Sequence, residues 1–301
     1  MSSFPVPIRA ALLMAGSTLF FSLMAISIRL ASESLHPFEI AFFRNLFGSM
    51  AALPLLLRHS RGFMRTQQLP RYLFRCVIGV CSMLAGFWAI SNLPLAQAIS
   101  LSYSTPLFAT IAAAIWLGET VRIRRWTAVI VGFIGVLLIV RPGAQDFSTG
   151  SLIALLGAVL SSIVTIQIKQ LSTTEPPDRI VIYTTLLWIP MSLLPALGVW
   201  RWPEGIAWLW IITAGMMGTA GHMLWTRALH LGEVSALTPI GFLQLPLLVL
   251  VGWLLFDEAL TYWILAGGLI IIAANIYIAR REMILAKQAM LRQTTLQNDD
   301  K

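Results

Sequence analysis

The first residue with unusual chemistry is Arg44, about two turns into an apolar run that reads Phe42-Phe-Arg-Asn-Leu-Phe47. A charge at that depth in a bilayer costs roughly 2.5 to 3.5 kcal/mol, so it must face a cavity or a partner. Facing a cavity, its planar guanidinium could hold a carboxylate or phosphate through two parallel hydrogen bonds. Otherwise it snorkels outward or pairs with Glu39, five residues earlier. His222 lies near the middle of a later run, after Gly218-Thr-Ala-Gly221. It either carries a proton or is a hydrogen-bonded packing residue, beside small residues that let a neighbouring helix approach. Gln97, Tyr103, Gln167, Tyr183 and Gln244 offer hydrogen bonds from the central depth of five different runs. Each alone could be interhelical glue, but together they resemble the few convergent polar groups of an apolar ligand cavity. Trp88, Trp188 and Trp225 could stack on a flat substrate or belong to an interfacial belt. The candidate substrate-binding set is therefore Arg44, Trp88, Gln97, Tyr103, Gln167, Tyr183, His222, Trp225 and Gln244.

What the chain lacks narrows the chemistry. All 13 Asp and Glu residues fall at run edges, in connections or in the tail. Proton- and sodium-coupled carriers commonly use an intramembrane carboxylate. Coupling here would fall to His222, to the substrate's own charge, or to exchange, and a cationic substrate is disfavoured. Glu119 and Glu258 sit at matching run ends and are expected to cap the next helix. Cys76 and Cys81 stand on different faces of one helix and form neither a metal nor a disulfide pattern, so neither metal nor cofactor is expected. An intramembrane protease or lipid-modifying enzyme is the competing class. It would need a buried aspartate pair, a His-Glu-x-x-His motif, or a marked serine nucleophile, and the sequence offers none of these motifs. There is no Walker motif either, so ATP does not drive this chain directly.

The elements that position these residues are membrane spans. Apolar residues are 57% of the 301, charged residues 11%, and mean hydropathy is +0.79. A water-exposed domain carries about a quarter charged residues, so this surface faces lipid. Ten apolar runs lie near 10–30, 38–57, 72–91, 96–117, 125–141, 150–170, 179–200, 206–228, 234–256 and 261–280. Short connections carry turn signals such as His36-Pro37, Arg141-Pro-Gly143 and Pro176-Pro177. The first run is too long for a signal-peptide core and reads as a retained span. The net charge of +8 lies in short segments between runs, as topology determinants do, which argues against nucleic acid. Counting Lys and Arg on alternate connections gives 17 on the side of the N-terminus and three on the other, with Arg44 inside a span. That bias places both termini in the cytoplasm.

The chain is also duplicated. Shifted by 140 positions, Ile28-Arg29 falls on Ile168-Lys169, Pro37 on Pro177 and Arg44 on Thr184; shifted by 139, Leu95 falls on Val234 and Glu119 on Glu258. Two kinked, polar-dotted runs, 95–116 and 234–256, occupy matching positions and point to a transporter's binding region. Five spans per unit invert the second unit in the membrane. The expected fold is an all-α membrane protein of ten transmembrane helices in two inverted five-helix repeats, 1–143 and 144–281, followed by a polar cytoplasmic tail, 282–301.

Residues Pro94-Leu-Ala-Gln-Ala-Ile-Ser-Leu-Ser-Tyr-Ser-Thr-Pro106, Trp116-Leu-Gly-Glu119 and Arg125-Trp126 carry a family resemblance, as do Gly221-His222, Thr226-Arg227, Pro239, Gln244-Leu-Pro246 and Phe256-Asp-Glu258. Over residues 10 to 281 the sequence resembles the EamA-type branch of the drug/metabolite transporter superfamily. That resemblance implies alternating access around a cavity walled mainly by the third, fourth, eighth and ninth helices. It covers exporters of amino acids and metallophores and importers of riboflavin and S-adenosylmethionine. The expected partners are the bilayer of a bacterial inner membrane and a small-molecule substrate: an amino-acid-derived carboxylate first, a flavin-like heterocycle second. Monomer and homodimer both stay open.

Overall fold

A computed structural model describes residues 6–57, 66–116, 123–141, 148–171, 174–231, 237, 240–259 and 261–299. Its long helices are α1 (Val6–Ala31), α2 (Pro37–Leu57), α3 (Leu69–Asn92), α4 (Leu95–Ser102), α5 (Thr105–Trp116) and α6 (Ile123–Val140). They continue with α7 (Thr149–Leu171), α8 (Pro177–Leu197), α9 (Ala207–Leu231), α10 (Gln244–Phe256) and α11 (Tyr262–Asp299). No strand occurs among the described residues. Proline opens α2 and α8 and stands in the first turn of α3, where its missing N–H would have had no helical partner anyway.

Four described segments are long and apolar enough to cross a membrane: Ile8–Ala31, Leu69–Asn92, Thr149–Ile168 and Arg179–Leu197. Their outward faces are apolar, with Leu12, Leu19 and Leu23 exposed on α1 and Leu73, Phe74 and Val77 on α3. Inside, one continuous core joins both halves through Ile28, Ile40, Leu95, Leu101, Ile211, Leu248 and Ile271. Partner choice repeats between halves. α1 lies along α9 and α7 along α3; α2 packs on α9 and α8 on α3; α6 and α11 pair with each other. Gly135 and Gly267 make that last pairing close, since a Cβ at either would come within 3 Å of the other's carbonyl.

The fourth apolar run is not one helix. It breaks at Tyr103-Ser104, and the ninth breaks at Phe242-Leu243, 139 positions later. The cause is local chemistry. Pro106 has no N–H to return to the Ser102 carbonyl, and the Thr105 hydroxyl donates to that carbonyl instead, at 2.8 Å. Pro246 likewise cannot reach the Phe242 carbonyl, which accepts the Leu245 N–H at 3.1 Å. The two breaks meet: the Tyr103 ring stands edge-on to Phe242 at 5.0 Å, and its hydroxyl donates to the Gly241 carbonyl. Asn275 of α11 donates to the Tyr103 carbonyl at 2.8 Å. Backbone groups freed by a break at membrane depth must find such partners.

Polar ties fasten the ends. The Arg29 guanidinium donates to the Ile90 and Ser91 carbonyls at the end of α3 and lies 3.3 Å from Glu258. Glu258 accepts the Leu95 N–H at 2.7 Å. It therefore caps a helix as expected of its type, but that helix is α4 in the other half rather than the next in sequence. Asp257, left-handed at φ 51°, turns the chain back to allow this. Glu119 lies outside the described residues. Glu39 accepts the His36 and Arg201 N–H groups. Just before α8, Glu175 accepts from Thr66 and Arg179, at 2.6 and 2.7 Å.

Candidate functional site

Arg44 is 6% exposed and sits where α1, α2, α3 and α9 converge. Its Nη1 donates to the Asn45 amide oxygen at 2.9 Å, and Asn45 in turn donates to Ser192 of α8 at 3.1 Å. Two thioethers also lie against it, Met83 at 4.0 Å and Met24 at 3.9 Å. Its Nε has no hydrogen-bond partner. Glu39, the candidate ion partner, is committed to the backbone amides of His36, at its own helix start, and of Arg201. Among the described residues no carboxylate lies within 4 Å of Arg44.

Glycine makes room for this side chain. A Cβ at Gly218 would stand 2.8 Å from Arg44 Nη2 and 2.7 Å from Met24 Sδ. One turn further along α9, His222 is exposed, its ring edge-on to Phe21 of α1 at 5.0 Å, with Trp225 at 6.4 Å. A buried guanidinium with free donor capacity thus stands beside a patch of aromatic rings. Such a pair can hold an anion, or the carbonyl-rich edge of a flat heterocycle whose face lies on the rings.

The other candidates do not all join this cluster. Gln97 donates to Ser151 at 2.9 Å and ties α4 to α7; Trp88 packs near Gly150 on the same α7. Tyr103 marks the first break, and Gln244 opens α10 just past the second. Tyr183 stacks on Tyr72 at 4.7 Å, and Gln167 of α7 has a buried amide oxygen without a partner. Sequence reasoning missed Met24, Met83 and Phe21, which read as ordinary apolar filler. It also counted Arg75 with the connections, whereas that residue is 6% exposed inside α3. Among the described residues no group of three His, Cys, Asp or Glu side chains could hold a metal.

Comparison with known proteins now gives the class a name. The EamA-like transporter family matches the chain twice, over residues 8–141 and 148–280. A riboflavin transporter of Vibrio cholerae is 36% identical over 73% of this chain and 72% of its own length. An S-adenosylmethionine uptake transporter of Rickettsia felis is 28% identical over 86% of each chain, and the pseudopaline exporter of Pseudomonas aeruginosa is 28% identical over 86% of this chain and 92% of its own. A solved crystal structure superposes with a TM-score of 0.63 at 22% identity, covering 90% of this chain and 98% of the other, which shows a shared fold. The duplicated helical bundle, its apolar outer faces and its two broken spans define an integral membrane carrier. The chain belongs to the EamA-like transporter family and is a small-metabolite transporter.

Proposed function

We propose that this protein carries a flat heteroaromatic metabolite of the flavin class across a bacterial inner membrane. The observation that carries this reading is the buried Arg44 guanidinium, short of partners, beside the Phe21, His222 and Trp225 rings. A ring with adjacent carbonyl and nitrogen acceptors on one edge matches a planar donor fork, and its faces suit aromatic neighbours. The relatives lend support, since riboflavin and S-adenosylmethionine both contain a flat nitrogen-rich ring. An amino-acid-derived carboxylate stands second, on the same guanidinium. The nine candidate residues are proposed to line the route, with Arg44, His222 and Trp225 closest to the substrate.

The proposed architecture is ten spans in two inverted repeats, 1–143 and 144–281, with both termini in the cytoplasm. The ordered outward apolar faces and the repeated helix pairing support it. A carrier rather than an intramembrane enzyme is favoured, since no catalytic motif marks the serines or His222. The test is flux of intrinsically fluorescent riboflavin into proteoliposomes. Uptake above protein-free vesicles is expected, and Arg44→Gln should remove it. Flux equal to protein-free vesicles would sink the flavin reading, and turnover of added lipid or peptide would favour the enzyme.

A further inference from the structure

A second buried arginine stands on the same side of α3 as the Arg44 contact. Arg75 is 6% exposed, donates through Nη1 to the Thr184 hydroxyl of α8, and leaves Nε without a partner. Among the described residues no carboxylate lies within 4 Å of it. One turn further, Gly79 lets Trp188 of α8 lie against α3, and the Trp188 indole N–H is also buried and unpartnered. Two turns beyond Arg75 comes Met83, which touches Arg44. The eight residues from Arg75 to Met83 rise about 12 Å along the helix.

The depths mirror each other. Arg44 stands seven residues after Pro37 at the start of α2; Thr184, which holds Arg75, stands seven after Pro177 at the start of α8. α2 and α8 are counterparts in the two halves, so each guanidinium lies about 10 Å in from an opposite end of the bundle. A desolvated cation without a counterion is costly, and an orphaned donor adds to the cost. Two such cations, with an orphan indole N–H between them in depth, are buried positive charge that an anion would neutralise.

We propose that Arg75, with Thr184 and Trp188, is a second, anion-holding station on the route that passes Arg44, built to take a carboxylate or phosphate group. This rests on the carrier reading but not on the flavin. The probe is inorganic phosphate, titrated against the purified full chain in detergent at ionic strength held constant with chloride; acetate in parallel separates carboxylate from phosphate. A saturable rise in melting midpoint of about 2–4 °C is expected with phosphate or acetate. It should vanish in Arg75→Gln and survive in part in Arg75→Lys. No rise beyond chloride, or an undiminished rise in monodisperse Arg75→Gln, overturns the station. Should Arg75→Gln fail to fold, Trp188→Phe decides: removal of one donor should weaken half-saturation at least threefold, and no change overturns the proposal. Riboflavin binding measured on the same samples is a separate reading. Its absence from the wild type would sink the flavin while leaving the phosphate result to judge Arg75.

Discussion

At the scale of single residues, the informative feature is positive charge buried without negative charge. Arg44 was legible in the sequence because it interrupts an apolar run with nothing acidic near it in depth. Arg75 was not, because an arginine six residues into a helix is indistinguishable, in a string, from one at the interface; its burial depends on α8 packing over it. If Arg44 contacts substrate, Arg44→Lys keeps the charge but loses the planar fork, and Arg44→Gln loses both. Binding measured at equal protein levels should fall in that order, with Gln losing roughly 2 to 5 kcal/mol, some thirtyfold or more. Normal affinity in a folded Gln variant would remove Arg44 from the site. Two glycines on α9 separate site from scaffold. At Gly218 the added methyl meets the mobile ends of Arg44 and Met24, so Gly218→Ala should fold yet transport poorly. At Gly215 it would stand 2.9 Å from the Arg44 carbonyl oxygen and from the Gly48 nitrogen, both backbone. Gly215→Ala should therefore cost about 1–3 kcal/mol of stability by overpacking. Equal effects of the two on melting temperature would contradict this division.

At the scale of elements, the broken helices and their end ties explain how polar chemistry is held at depth. Proline and hydroxyl residues in the fourth and ninth runs announced irregularity in the sequence, and the shared offset announced that it was repeated. The position of each break was not legible, because it depends on which neighbour takes the freed carbonyl: Thr105 in one, Leu245 in the other, and Asn275 from a third element. Glu258 shows the same limit. Its role as a helix cap followed from its type, whereas the helix it caps is set by tertiary proximity. The Glu175 tie can be read by pH. Burial alone would raise its carboxyl pKa, but the Thr66 hydroxyl and Arg179 guanidinium outweigh that and hold it below the ordinary 4.5. The folded state thus favours the ionised form. Its contribution is full above about pH 4.5 and is lost as pH falls through the depressed folded value. Melting midpoints of the wild type should drop more steeply below pH 4.5 than those of Glu175→Gln, and parallel curves would show that the tie contributes nothing.

At the scale of the whole molecule, the cross-half ties sort the connections by end. Arg29, Ile90, Leu95 and Glu258 meet at one end, and Gln97 with Ser151 brings the start of α7 there too. Arg141 lies over the Trp263 ring at 5.0 Å, which puts the start of α11 at that same end. Thr66 and Glu175 meet at the other. α11 then runs away from Ser148, so the C-terminal tail leaves from the end opposite to it. Charge independently labels the two ends: with Arg75 left out because it lies inside α3, the excess of Lys and Arg is 16 to three, on the side of Thr66, Glu175 and the tail. In a bacterial membrane the richer side faces the cytoplasm. A reporter active in the cytoplasm should therefore signal when fused after Lys301 and stay silent near Ser148, and a periplasmic reporter should do the reverse. Inversion of both signals would overturn the charge assignment while leaving the bundle intact. Both fusions reporting the same side would contradict the run of α11 across the membrane, and with it the two mirrored depths at which Arg44 and Arg75 are placed.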